Sequence, residues 1–251
     1  MKSWLLSILL VLSPLIQNAS RIPGPGGAGS GGGGGVAPTY VTACATFSFS
    51  SPTTCSVGTV NNGDWVGYMV SPNNNNPTIT PSLTGACAAS GGNVTDLAVA
   101  NQGFVAGSSQ LGHFVITTSG SCTVSVTYSG GTGGTTDAPI SAWVVRSVAT
   151  GVNAVSTTYA AQSPSGTGAN IITSNTVNTS LTSLCLAAMV DHNFGGGTLT
   201  AGTTIAWTNL VKNNSFPNGN ESFSQTSSGT IQATFGTTVS AYTQTAIVCY
   251  N

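Results

Sequence analysis

Charge is what this chain has least of. Of its 251 residues, 4% are Asp, Glu, Lys or Arg, against about 25% in an ordinary globular protein. Four basic residues cannot make the clustered patch that binding to nucleic acid or anionic lipid requires, so no nucleic-acid partner is expected. Disorder is disfavoured too, because 40% of the residues are apolar and the net charge is only −1. Ser, Thr, Asn, Gln and Gly must keep such a surface soluble. With little repulsion between molecules, self-association is expected.

Other absences narrow the chemistry. Beyond the first twenty or so residues no stretch repeats apolar residues at i, i+3, i+4 and i+7, so amphipathic helices are not expected. The G-x-S-x-G turn of serine hydrolases, the H-E-x-x-H of zinc peptidases and any C-x-x-C are missing. A glycosidase needs two carboxyls about 5–9.5 Å apart, and no local spacing among Asp64, Asp96, Asp137, Asp191 and Glu221 points to such a pair. The expectation is a protein that is not an enzyme and has no cofactor beyond a structural calcium.

The chain opens M-K-S-W-L-L-S-I-L-L-V-L-S-P-L-I-Q-N-A-S: one positive charge, an apolar run from Trp4 to Ile16, then small polar residues. This is the layout of a secretory signal peptide over residues 1–20, cut near Ala19 or Ser20, with an uncleaved anchor as the alternative. The run is short of the ~20 apolar residues of a spanning helix and is interrupted by Pro14, so no transmembrane span is expected in the mature chain. Residues 21–35, R-I-P-G-P-G-G-A-G-S followed by five glycines, have no apolar side chain after Ile22 to offset the entropy of ordering. They read as a flexible tether.

Export gives the six cysteines a role. An even number in an oxidising compartment favours disulfides. Pairing of sequence neighbours is expected: Cys44–Cys55, Cys87–Cys122 and Cys185–Cys249.

From Val36 to Asn251 short β-type runs alternate with Gly, Asn, Pro and Ser clusters. In Cys122-Thr-Val-Ser-Val-Thr-Tyr128 the residues Cys122, Val124, Val126 and Tyr128 face one way, the period of a half-buried strand. Similar runs begin at Trp65, His113, Ile140, Leu184, Ile205, Thr230 and Thr245, with turn signals such as N-N-G-D at Asn61 and F-G-G-G at Phe194 between them. The expected fold is all-β: a single β-sandwich domain over 36–251 with roughly 12 strands, its two sheets meeting in one core.

Four segments then look familiar in order: N-N-G-D-W-V-G-Y-M-V (Asn61 to Val70), S-C-T-V-S-V-T-Y (Ser121 to Tyr128), A-G-T-T-I-A-W-T-N-L (Ala201 to Leu210) and S-S-G-T-I-Q-A-T-F (Ser227 to Phe235). Together they resemble secreted bacterial and phage-associated jelly-roll-like β-sandwich modules. That resemblance implies architecture and brings no catalytic residues with it. The chain departs from the pattern in its six cysteines and at Thr204–Trp207, where T-I-A-W replaces the usual Gly before Trp.

Candidate site residues follow from what remains. Trp65, Trp143 and Trp207 are the indoles on which a sugar ring would stack, with Tyr159 and the Asn-rich segments 73–76 and 213–220 at the edge of such a platform. All three indoles sit in apolar strands, which favours the core. Asp64 and Asp137 are loop carboxylates that would serve a structural calcium; in N-N-G-D, Asp64 also reads as a turn residue bonded to nearby amides. Arg146 is expected to lay its stem on the sheet and reach a loop carbonyl or a carboxylate. His113 reads as a structural residue at the start of a strand. Asp191 and His192 mark the end of the Leu184 strand and are the first place to look for a polar ligand. The functional expectation is a secreted structural or adhesive surface module, able to self-associate, whose partner is an extracellular or cell-surface polymer. A carbohydrate-binding module and a virion-associated tail or decoration protein are the alternatives.

Overall fold

A computed structural model describes residues 36–72, 77–99, 108–131, 138–149, 151–161, 170–173, 177–179, 183–191, 199–200, 207–213, 218–225, 229–231, 233–237 and 242–251. The leader and the tether lie outside the described residues. Among the described residues there is no helix, and eighteen strands account for nearly all of the structure, five of them four residues or shorter. The fold is all-β and every pairing is antiparallel.

The first eight strands are β1 (Thr39–Ser48), β2 (Thr53–Val60), β3 (Trp65–Val70), β4 (Thr78–Gly85), β5 (Ala88–Val99), β6 (Ser109–Thr118), β7 (Gly120–Ser129) and β8 (Ala138–Arg146). β1 pairs with β8, β2 with β7 and β3 with β6. That nesting is a long hairpin rolled upon itself, the winding of a jelly roll. It gives a sheet of order β1-β8-β3-β6-β5 and a smaller one of order β2-β7-β4. The innermost pair has come apart: β4 stays on β7, whereas β5 pairs with β6 in the other sheet.

The remaining strands are β9 (Val152–Ala161), β10 (Asn170–Thr173), β11 (Val177–Thr179), β12 (Ser183–Asp191), β13 (Leu199–Thr200), β14 (Thr208–Asn213), β15 (Asn218–Gln225), β16 (Gly229–Ile231), β17 (Thr234–Thr237) and β18 (Tyr242–Tyr250). They wind in the same way, β9 with β18, β10 with β17, β11 with β16 and β12 with β15. Their five-stranded sheet, β9-β18-β12-β15-β14, repeats the order of the first large sheet. The smaller sheets are β10-β17-β13 and β11-β16. The expected sandwich is therefore present twice, in one compact unit from Gly35 to Asn251.

Three apolar clusters separate the layers. Val57, Val66, Phe114, Val124 and Ile140 belong to the core between the two sheets of the first roll. Met69, Leu111, Trp143, Leu186 and Val248 lie between the two large sheets, back to back. Ala187, Trp207, Ile231 and Ile247 fill the second roll. Each large sheet is thus covered on both faces, which is why β3, β8 and β12 are buried almost end to end and read as continuous apolar or small runs. A sandwich with one wet face per sheet would have alternated. β7, in an outer sheet, does: Cys122, Val124, Val126 and Tyr128 point into the core while Thr127 is exposed.

The disulfides join Cys44 to Cys55, Cys87 to Cys122 and Cys185 to Cys249. The first runs from β1 to β2 and so bridges the two sheets of the first roll. The second ties the β4–β5 corner to β7. The third joins directly opposed residues of β12 and β18.

Candidate functional site

Burial decides the fate of the indoles. Trp143 is fully buried and Trp207 is 7% exposed, so neither presents a face on which a sugar could stack. Trp143 instead donates its indole N–H to the Tyr250 hydroxyl at 3.0 Å across the back-to-back interface. Trp65 is half-buried and its ring lies against His113, with centroids 4.4 Å apart and planes 23° from parallel. The three tryptophans pack the interior because their strands belong to the doubly covered sheets or their immediate continuation.

Asp64 serves an ion pair. Arg146 Nε donates to Asp64 Oδ1 at 2.7 Å, Nη2 donates to Oδ2 at 2.8 Å, and the Asn61 amide adds a third bond to Oδ2 at 2.8 Å. The carboxylate is 1% exposed and the guanidinium 41%. The paired carboxylate raises the Arg146 pKa further above its ordinary value. Both Asp64 oxygens are thus bonded to the guanidinium, and the Asn61 bond is the turn contact read for this residue in N-N-G-D. Asp64 also supplies the carboxylate expected for Arg146. Among the described residues no cluster of three or more His, Cys, Asp or Glu is placed to hold a metal.

A second ionisable pair gave no signal in the sequence. His113 Nδ1 lies 2.9 and 3.0 Å from the two oxygens of Asp96, both side chains being 7% exposed. With Asp96 ionised, Nδ1 is the donor. The pair forms because β5 shifts register between Thr95 and Leu97, which makes Asp96 the extra residue of a bulge. Trp65 covers the imidazole and also meets Tyr250 edge-on at 6.0 Å. Burial, and secondarily the Asp96 charge, raises the Tyr250 hydroxyl well above the usual tyrosine range. The arrangement is a packed polar knot in an apolar interface, which fits the structural role expected of His113.

Of the other predicted residues, Asp191 ends β12 opposite Thr243 of β18, and Tyr159 lies on β9 opposite Gln244, the next residue of β18. The topology therefore brings Asp191 and Tyr159 to one end of one sheet, on either side of β18. Lys212 is exposed near the end of β14. His192, Asp137 and the segments 73–76 and 214–217 lie outside the described residues.

Among the described residues, a cavity of about 340 Å³ opens where β4 and β5 part company. Pro81, Ser82 and Leu83 of β4 form one wall, Ala88, Ala89 and Asn93 of β5 the other, and Phe114 of β6 lies at its base. Small side chains after the corner leave the space open. In the second roll a tryptophan, Trp207, stands directly before β14 and packs into its core, whereas Cys87 stands directly before β5. The carboxamide of Asn93 is held in place: its Oδ1 accepts from the Tyr68 hydroxyl at 2.7 Å and its Nδ2 donates to Thr95 Oγ1 at 3.2 Å. Gln110 donates to the same tyrosine oxygen at 2.7 Å. Burial drives the Tyr68 hydroxyl strongly upward in pKa, so it stays protonated and keeps donating to Asn93. The network needs Gly112, because a methyl there would meet the Tyr68 hydroxyl at 2.5 Å.

Comparison with family models, with curated proteins and with solved structures finds no match to this chain.

Proposed function

We propose that this chain is an exported, non-enzymatic structural or adhesive surface module, with the glycine-rich segment 21–35 as its tether. The observation that carries the proposal is the doubled roll: two jelly rolls back to back, with three disulfides and buried polar pairs bracing them, form a rigid block with Ser- and Thr-rich outer strands. Its two described ion pairs, Asp64–Arg146 and Asp96–His113, link elements of the first roll to one another. Disulfides fit an oxidising compartment, and the leader-like start supplies the export signal. The resemblance to secreted bacterial and phage-associated jelly-roll modules supports the same reading.

Light scattering on the purified mature chain, together with pull-down on intact cells and extracellular polymers, tests it. Concentration-dependent association or retention on a polymer is expected. A strict monomer that binds no cell or polymer overturns it. The carbohydrate-binding reading is the second, and the cavity between β4 and β5 favours it over the tryptophan platform. The virion-associated reading draws on the jelly roll, an architecture of capsid and lectin domains alike; fold by itself assigns neither.

A further inference from the structure

We infer that the cavity between β4 and β5 is a binding site for a neutral sugar ring, gripped by the Asn93 carboxamide over an apolar wall of Pro81, Leu83 and Phe114. The inference rests on the adhesive reading and gives it a ligand class.

Size, charge and polarity converge on this class. A volume of about 340 Å³ lies at the small end of ligand pockets, which begin near 300 Å³, and suits one ring rather than an extended chain. None of the nine residues lining it is charged. A phosphate, carboxylate or ammonium group taken into it would lose its hydration without gaining a partner, which disfavours nucleotides, acidic sugars and amines. A purely aliphatic ligand fits poorly as well, since it would cover the remaining polarity of Asn93 with nothing to bond it. A neutral pyranose answers both demands, with C–H faces for the apolar wall and hydroxyls for the polar groups.

Asn93 is preorganised for this task. With Tyr68 on its oxygen and Thr95 on its nitrogen, the amide is held in place, and it retains one N–H and one oxygen lone pair. Donor and acceptor side by side match adjacent hydroxyls of a ring. Ordering these groups before binding lowers the entropy lost on association. The opening exists because β5 leaves β4 for β6, so the site belongs to the way this roll departs from a closed one.

The test uses the full disulfide-bonded chain and free monosaccharides, read by ligand-observed NMR and calorimetry. Glucose, galactose, mannose and N-acetylglucosamine are the neutral probes, with glucuronic acid, glucosamine and hexanol as controls. At least one neutral sugar should bind in preference to all three controls. Asn93→Ala should weaken it by at least about tenfold, the loss of one or more hydrogen bonds, and Ala88→Trp, which places a bulky ring at the rim, should abolish it. Ala88→Trp should melt like the parent, since Ala88 is exposed. Binding that survives Ala88→Trp, binding led by hexanol or a charged sugar, or no binding to any neutral sugar overturns the site. In that last case retention of the parent chain on cells or polymers still supports the adhesive reading, so the two fail separately.

Discussion

The Trp143 indole of one roll donates to the Tyr250 hydroxyl of the other at 3.0 Å, inside an interface where both residues are fully buried. Gly67, opposite Trp143 on the adjacent strand, makes room for the pair: a methyl there would lie 2.5 Å from the Tyr250 oxygen and collide with the indole ring. Tyr250→Phe should therefore cost about 1–3 kcal/mol, because the indole N–H is left buried without a partner. Gly67→Ala should cost at least as much through overpacking. Denaturant unfolding followed by tryptophan fluorescence checks both; a Gly67→Ala chain as stable as the parent would contradict the packing described.

The Asp64–Arg146 pair fastens the N-N-G-D turn before β3 to the end of β8. Asp64→Ala removes two charge-assisted bonds and the Asn61 cap together. A loss of about 2–3 kcal/mol is expected, read as a fall of roughly 5–10 °C in the melting temperature. Because the carboxylate is 1% exposed, added salt should change this difference little.

Alkaline pH should unfold the chain through its buried tyrosines. Tyr68 and Tyr250 are raised above the ordinary value of 10.0 chiefly by burial. A raised folded pKa means that their contribution is fully present below pH 10 and is lost as pH climbs toward the folded value, since the unfolded chain ionises first. Stability should be insensitive to these groups from neutral pH to about 9 and then fall steeply. Tyr68→Phe should flatten that fall. Absorbance titration near 295 nm should show tyrosines that ionise only with unfolding.

Of the three bridges, Cys185–Cys249 closes the longest loop, with a sequence separation of 64. Replacing both with Ala should cost about 3–4 kcal/mol by loop-closure entropy. Peptide mapping under non-reducing conditions should recover the three neighbour pairs. A crossed connectivity would be incompatible with the strand register of β12 and β18.

How much of this was legible in the residues depended on local pattern. W-V-G-Y-M-V matches β3 from Trp65 to Val70, and the alternation of Cys122 to Tyr128 matches β7. β5 carries no such signal, because Ser90-Gly-Gly-Asn93 reads as a turn. In the structure Gly91 and Gly92 adopt positive φ of 71° and 79° within a bulged strand. The T-I-Q-A-T-F run from Thr230, read as one strand, is interrupted at Ala233. The doubling was hidden because it is a repeat of strand order, which leaves no fixed period in the residues. The cavity was hidden for a related reason: Pro81 to Leu83 and Ala88 to Asn93 are unremarkable by themselves, and what joins them is a change of sheet at Cys87. The indoles drew attention by type, yet type could not reveal that both faces of their sheets are covered.

The second roll begins at Val152, with five residues between it and the end of β8, and Asn251 is hydrogen-bonded to Ala149 and Gly151 of that connection. The molecule is in effect a covalent dimer with its partner written into the same chain. A short linker keeps the local concentration of each half around the other very high, so the apolar backs of the two large sheets meet each other before they meet another molecule. That arrangement relieves the outer surface of guarding an exposed seam, and with it much of the need for the charge this chain so conspicuously lacks.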